Sequence, residues 1–211
     1  FFQAEDGIRD RSPSRGLGDV YKRQHLKNYF DKKNTVKNKN YKALVTTGPT
    51  REYLDPVRYI SNESSGKQGC EIAIALDRLG IKTTLIAGPS NFVLPKSIIV
   101  KKIISADEML DKVKKTLPVD LAVCAAAVSD LKPKEKSRTK IKKNDLNFKS
   151  INFIKNSDIL EYLSKNNKHR PRLVAGFSAE TENLTKNSIK KIKNKHWDLI
   201  FANDVSKKGI G

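Results

Sequence analysis

The chain predicts an α/β fold, a doubly wound and mostly parallel sheet with helices on both faces. Three observations carry this. From residue 43 onward, short apolar runs alternate with segments of helical period. The run at residues 121–128 is almost wholly apolar, as a strand covered on both faces must be. Polar and small residues collect where predicted strands end: Thr47-Gly48-Pro49-Thr50-Arg51, Ala125-Ala126-Ala127-Val128-Ser129-Asp130, Gly176-Phe177-Ser178-Ala179-Glu180-Thr181 and Asn203-Asp204. Open α/β sheets bind their ligands beyond those ends.

The elements follow in order. Residues 1–24 have no helical or strand period and carry Arg9, Arg11, Arg15 and Arg23, whereas the rest of the chain relies on lysine. They resemble translated sequencing-adapter leaders and are read as a non-native leader. Residues 25–41 are rich in Lys and Asn and read as a linker, with a helix end at 25–30. The first strand is 43–47. A polar loop leads to a helix at 66–79, with Ile72, Ala73, Leu76 and Leu79 as its buried stripe, Ser65 as N-cap and Gly80 as stop. Strands at 83–87 and 98–104 follow, then a helix at 106–116 with Met109, Leu110 and Val113 on one face, then the strand at 121–128. Residues 131–147 are charged, lysine-dense and without period, and read as a long mobile flap. A short strand pair is expected through 148–154, a helix at 157–164, a strand at 173–177, a lysine-faced helix at 183–195 and a strand at 198–202. A Rossmann-like sheet results. After Gly209-Ile210-Gly211 a final element is expected to be missing.

The 211 residues suit one α/β domain. The net charge of +19 has two explanations. One is nucleic-acid binding; the other is lysine spread over solvated faces. Lysines alternate with Ile and Leu along the whole chain, and no aromatic stacking motif is present, so the second is favoured. The same charge suits anionic small substrates. No apolar run approaches the roughly 20 residues that cross a bilayer. Cys70 and Cys124 lie among apolar neighbours and read as buried free thiols, which suits a reducing cytoplasm. His25, His169 and His196 are far apart and show no metal-ligand spacing, so no protein-held metal is expected.

The turn Ser61-Asn62-Glu63-Ser64-Ser65-Gly66 opens the first helix and offers hydroxyls and backbone N–H groups to phosphate oxygens. A plain cap needs one serine, not this set. Arg51, Arg58 and Asn62 in the same stretch point to a phosphorylated guest. The run Lys140-Ile141-Lys142-Lys143 lies in the flap, where a lysine can offset charge developing on a phosphoryl group. No Gly-x-Gly-x-x-Gly follows the first strand, no acid for a ribose ends the second, and no P-loop motif is present.

The motifs Thr47-Gly48-Pro49-Thr50-Arg51-Glu52, Asp55-Pro56-Val57-Arg58-Tyr59-Ile60-Ser61-Asn62, Ser64-Ser65-Gly66-Lys67, Ala125-Ala126-Ala127-Val128, Lys140-Ile141-Lys142-Lys143, Gly176-Phe177 with Ala179-Glu180-Thr181, and Ala202-Asn203-Asp204-Val205, taken together, resemble phosphopantothenate–cysteine ligase. The resemblance covers residues 42–211. It implies joining 4′-phosphopantothenate to L-cysteine through an acyl-cytidylate, with CTP as co-substrate, Mg2+ as its counter-ion, and pyrophosphate and CMP as products. Asn62, Lys140 and Arg58 would be catalytic. Gly48, Ser64, Ser65, Gly66, Ala126, Asp130, Lys140 and Phe177 would bind nucleotide. Asn62, Arg58, Ala126, Lys142 and Lys143 would bind substrate. The resemblance further implies a homodimer with the flap as lid, no nucleic-acid partner, and a whole protein carrying a decarboxylase half with FMN. Asn156-Ser157-Asp158-Ile159-Leu160 departs from the family's Asn-Pro-Asp-Ile-Leu, and Ser129 and Ser178 stand where alanine is common. A non-catalytic nucleic-acid binder, and a different nucleotide-dependent enzyme on a similar sheet, stay open as alternatives.

Overall fold

The computed structural model describes residues 40–142, 151–165, 168–204 and 206. The expected leader, most of the linker, Lys143 and the final residues lie outside them. In chain order the elements are β1 (Lys42–Thr47), β2 (Arg51–Tyr53), β3 (Tyr59–Ser61), α1 (Lys67–Arg78), β4 (Lys82–Ala87), β5 (Ile99–Lys102), α2 (Ala106–Lys114), β6 (Leu121–Cys124), β7 (Leu131–Pro133), β8 (Phe153–Lys155), α3 (Ile159–Lys165), β9 (Leu173–Glu180), α4 (Leu184–Lys195) and β10 (Leu199–Asp204).

Six strands form one parallel sheet in the order β10-β9-β6-β1-β4-β5. Counting only these six, the order is that of a doubly wound Rossmann-type sheet, whose strand order reverses between β1 and β6. Alternation along the strands sorts the core into two layers. Ala43, Val45, Leu85, Leu121, Val123, Leu173 and Ala175 pack with Ile72, Ala73 and Leu76 of α1 on one face. Leu44, Ile86, Ala122 and Val174 pack with Met109 and Val113 of α2 and Ile159 and Leu163 of α3 on the other. This is the predicted two-sided burial.

Helix α1 departs from expectation at both ends. Its N-cap is Gly66, in the left-handed region at φ +73°, and not Ser65. Ser65 Oγ still accepts the Lys67 N–H, at 3.3 Å. At the far end Gly80 sits at φ +77° and donates to Asp77 O, while Ile81 N–H reaches Leu76 O, the paired bonds of a Schellman stop. The stop turns the chain before Leu79 can join the stripe: Leu79 is 43% exposed and Ile81 is buried instead.

Strand lengths differ for a topological reason. β6 ends at Cys124 rather than at 128, because its β9 pairing stops at Gly176 and its β1 pairing at Thr46. β9 and β10 continue past that point by pairing with each other through Ala202–Ser178, Asn203–Ala179 and Asp204–Glu180. These polar residues were expected in loops; they are strand residues beyond the sheet's carboxyl edge.

Two antiparallel ribbons were not predicted in this form. β2 pairs with β3 inside the stretch read as a polar loop. β7 pairs with β8, so the strand pairing expected within 148–154 instead joins the two ends of the lysine-rich excursion.

Candidate functional site

β1 ends in Thr46-Thr47, and a third threonine, Thr50, follows the Gly48-Pro49 break. All three are buried. Thr47 Oγ1 donates to Gly66 O at 2.6 Å, tying β1 to the entry of α1. Thr46 Oγ1 accepts from Ala126 N–H at 3.4 Å, and Thr50 Oγ1 from Ser129 N–H at 3.1 Å. Thr50 O in turn takes the Ser61 hydroxyl at 2.7 Å. Backbone bonds Ala125 N to Thr46 O, Ala127 N to Gly48 O and Thr50 N to Ala127 O zip the two loops together past the strand ends. The switch point therefore has a rigid floor. The sequence reading named Thr47 and Thr50 in its strand-end motif but gave no threonine this structural role; three hydroxyls bracketing a Gly-Pro break in an apolar run were the available signal.

The expected phosphate turn lies at the same edge. Gly48 and Gly66 both take φ +73°. They face each other across Ser90: a Cβ at Gly48 would sit 2.5 Å from Ser90 Oγ, and one at Gly66 2.9 Å from it. The N-cap Gly66 brings no side-chain bond to the start of α1, although the neighbouring Ser65 Oγ takes the Lys67 N–H. Ser64 Oγ accepts from Gly66 N–H at 3.2 Å. The loops after β1 and β4 and the entry to α1 thus converge, and Gly48, Ser64, Ser65 and Gly66, the residues expected to bind phosphate, come together.

Asn62 follows β3 and is exposed. Its Nδ2 donates to Val128 O at 2.9 Å, placing its amide beside the loop that carries Ala126 and Asp130. Asp130 is exposed, and its carbonyl accepts from Asn156 N–H at 2.8 Å. Asn156 Nδ2 donates to Ser129 O, while its Oδ1 is buried with no hydrogen-bond partner. Phe177 lies one residue past the last β6–β9 pair and stacks on Phe201 at 4.9 Å, against the α1-side core.

Arg58 stands at the turn of the β2–β3 ribbon. Its Nε and Nη2 bind Asp55 Oδ2 at 2.9 and 2.5 Å, and Nη2 also donates to Ile141 O at 2.6 Å. The Asp55 side chain is fully buried. Burial raises its pKa, but the Arg58 guanidinium and the amides of Val57, Arg58 and Ile141 outweigh this and hold the carboxyl well below its usual range. The ribbon itself is braced by Tyr53 against Tyr59 and by Arg51 over the Tyr59 ring.

The lysine-rich excursion does not stand free in its described part. Ser137 N–H donates to Leu54 O at 2.9 Å, and Lys136 Nζ lies over the Tyr53 ring. With the Ile141 contacts, residues 136–141 are docked on the β2–β3 turn. Lys140 and Lys142 are both exposed there. Lys140 and Asn62 are thus brought to one ribbon but to its opposite ends, Arg58 and Asn62 being at most about 13 Å apart along extended chain.

A cluster at the end of β9 was also missed. Lys191 of α4 donates to Glu180 Oε1 at 2.5 Å and to Ser178 Oγ at 3.0 Å, and Asn187 Nδ2 donates to Glu180 Oε2. Lys191 and its partners hold the Glu180 carboxyl ionised to lower pH than usual. Their signal was an i, i+4 pair on the lysine-faced helix. Both thiols are free, Cys70 buried as expected and Cys124 half-buried; desolvation pushes Cys70 up to about 11 and Cys124 up to about 12, too high for a nucleophile at neutral pH. Among the described residues no group of three or more His, Cys, Asp or Glu side chains is arranged to hold a metal, and no helix is long and apolar enough to cross a membrane. A separate open groove of about 570 Å³ between α2 and α3 is lined by Leu110, Tyr162, Asp158, Glu161 and Lys165. Its acids are committed elsewhere, Asp158 to capping α3 and Glu161 to Lys165.

Known proteins share this sequence and this arrangement. The bifunctional coenzyme A biosynthesis protein CoaBC of Haemophilus influenzae is 42% identical over 182 residues, 86% of this chain and 44% of that protein. The CoaBC protein of Escherichia coli K12 is 39% identical over 181 residues, 84% of this chain and 44% of that one. The chain spans less than half the length of these curated relatives. A crystal structure of the C-terminal domain of a CoaBC protein superposes with a TM-score of 0.68 at 34% identity, covering 79% of each chain. The family model described as the DNA/pantothenate metabolism flavoprotein C-terminal domain matches residues 38–211, and the chain belongs to that family.

Proposed function

We propose that the chain is the ligase part of a coenzyme A biosynthesis protein, joining 4′-phosphopantothenate to L-cysteine at the expense of CTP. The observation that carries this is the meeting, at the switch point, of the α1 phosphate turn and the Asn62 amide on Val128, with a lysine segment docked at the other end of the same ribbon. The phosphopantothenate carboxylate attacks the α-phosphorus of CTP and the P–O bond to pyrophosphate breaks. The cysteine amine then attacks the acyl carbon, CMP leaves, and the amine gives up a proton.

Gly48, Ser64, Ser65 and Gly66 hold phosphate oxygens at the helix entry. Ala126, Asp130 and Phe177 flank the nucleoside. Asn62 hydrogen-bonds the acyl-cytidylate and orients it toward the amine. Lys140 offsets charge on the reacting phosphate, and Lys142 and Lys143 the second anion. CTP enters as its magnesium complex, the ion shielding two polyanions held side by side. The homodimer, the cytoplasmic setting and an FMN-dependent decarboxylase half in the whole protein belong to the same proposal.

Pyrophosphate release by the chain is expected to require both phosphopantothenate and CTP. Release without either, or equal rates with ATP or a nicotinamide nucleotide, counts against it. Asn62→Asp is expected to accumulate the acyl-cytidylate and pass it to cysteine on the order of 100-fold more slowly, within the range typical of losing one oriented hydrogen bond at a reacting centre. Single-turnover quench with nucleotide analysis reads this directly. Nucleic-acid binding with a steep salt slope would instead favour the basic-binder alternative.

A further inference from the structure

Asp55 has no part in the roles above, yet it is among the most heavily bonded side chains of the ribbon. Its Oδ1 accepts the N–H groups of Val57 and Arg58, each at 2.8 Å. Its Oδ2 accepts Arg58 Nε and Nη2 and, at 3.2 Å, the N–H of Ile141, a residue 86 positions away. Arg58 Nη2 donates to the Ile141 carbonyl at 2.6 Å. The pair therefore grips two consecutive peptide groups: the one joining Lys140 to Ile141 through its N–H, and the one joining Ile141 to Lys142 through its C=O. A two-point hold on adjacent peptide planes limits both the place and the rotation of the segment. Upstream, the Ser137 hydroxyl donates to Thr139 O at 2.7 Å; among the described residues no other bond than these holds the main chain of Lys140 and Ile141.

We infer that Asp55 is a positioning residue: with Arg58 it forms an ionic clamp on the backbone around Ile141 that sets where Lys140 reaches. This rests on the ligase function proposed above and adds a residue to it. A long, rotatable lysine is useful at a reacting phosphate only if its root is placed, since a displacement near 1 Å can cost about 100-fold in rate. Both clamp partners come from the turn between β2 and β3, so the root of Lys140 is tied to the strand that leads into Asn62.

The test is a double-mutant cycle on the full chain with two readouts. In the unaltered chain Lys140→Gln is expected to slow CTP-dependent pyrophosphate release by about 100-fold; in an Asp55→Asn background it is expected to cost less than about 3-fold more, because the lysine is already misplaced. Equal cost in both backgrounds overturns the positioning role. Trypsin supplies the second readout. Asp55→Asn is expected to speed cleavage after Arg138, Lys140 and Lys142 at least 5-fold, with cleavage elsewhere and the melting cooperativity unchanged; unchanged cleavage there overturns the clamp. If Asp55→Asn fails to fold, Ile141→Pro deletes the gripped N–H, leaves the Asp55–Arg58 pair in place, and carries the same two readouts. Faster cleavage in a chain whose unaltered form releases no pyrophosphate upholds the clamp and rejects the ligation chemistry, which separates the two ideas.

Discussion

Thr50 shows how single residues rig the site. Its side chain is fully buried, and its hydroxyl satisfies the Ser129 amide, itself in a buried residue. Thr50→Val keeps the shape and removes the acceptor, leaving that N–H unpaired. The expected loss is about 1–3 kcal/mol in urea unfolding at pH 7, with the slope of the transition unchanged. Asp55 makes a prediction in pH. Its native pKa lies below the unfolded value of about 3.9, so its contribution to stability is present above that value and is lost as pH falls toward the native one. The melting temperature of Asp55→Asn should therefore trail the parent at pH 7, and the gap should narrow steadily as pH falls from about 4 to about 2. A gap that stays constant over that range shows that the carboxylate charge is not what the fold uses. Sequence reading singled out Arg58 and Asn62 at this scale because their residue types advertise anion binding. It named Asp55 and Thr50 in its motifs but gave them no role, because their partners lie 86 and 79 positions away.

At the scale of elements, local chemistry explains most starts and stops. Helix α2 begins at Ser105, whose Oγ accepts Glu108 N–H, while the Glu108 carboxylate reaches back to Ile104 N–H. This reciprocal pairing resembles a capping box and joins the strand's exit to the helix entry. Ser105→Ala is expected to cost about 0.5–2 kcal/mol by thermal unfolding, with fraying confined to the first turn by amide exchange. Helix α1 follows another rule at its entry: a left-handed glycine stands at the N-cap in place of a capping side chain. Capping statistics favour serine there and gave the wrong residue; the close approach of Gly48, Gly66 and Ser90 demands glycine. The β2–β3 ribbon was illegible for a related reason. Strands of three residues have no period to detect, and Tyr53 and Tyr59 declare themselves only when paired across the turn.

For the whole molecule, two-sided burial of a parallel sheet is the dominant favourable contribution. Leu44 sits at the sheet's centre with no exposure, beneath α2 and α3. Leu44→Ala is expected to lower unfolding free energy by about 2–5 kcal/mol, the usual range where a rigid core cannot close around the void. A loss under 1 kcal/mol would mean that this layer is more loosely packed than described. The alternation of apolar runs with helical stretches by itself determined the six parallel strands, the helices between them and the edge on which polar residues gather, because burial period is a local property of sequence. Tertiary structure alone decided that β9 and β10 outrun β6, that the lysine segment docks on the β2–β3 turn, and that Lys140 and Asn62 share one ribbon. Those outcomes depend on which strands are neighbours and on hydrogen bonds closed across many tens of residues, and neither leaves a mark in any short window of the chain.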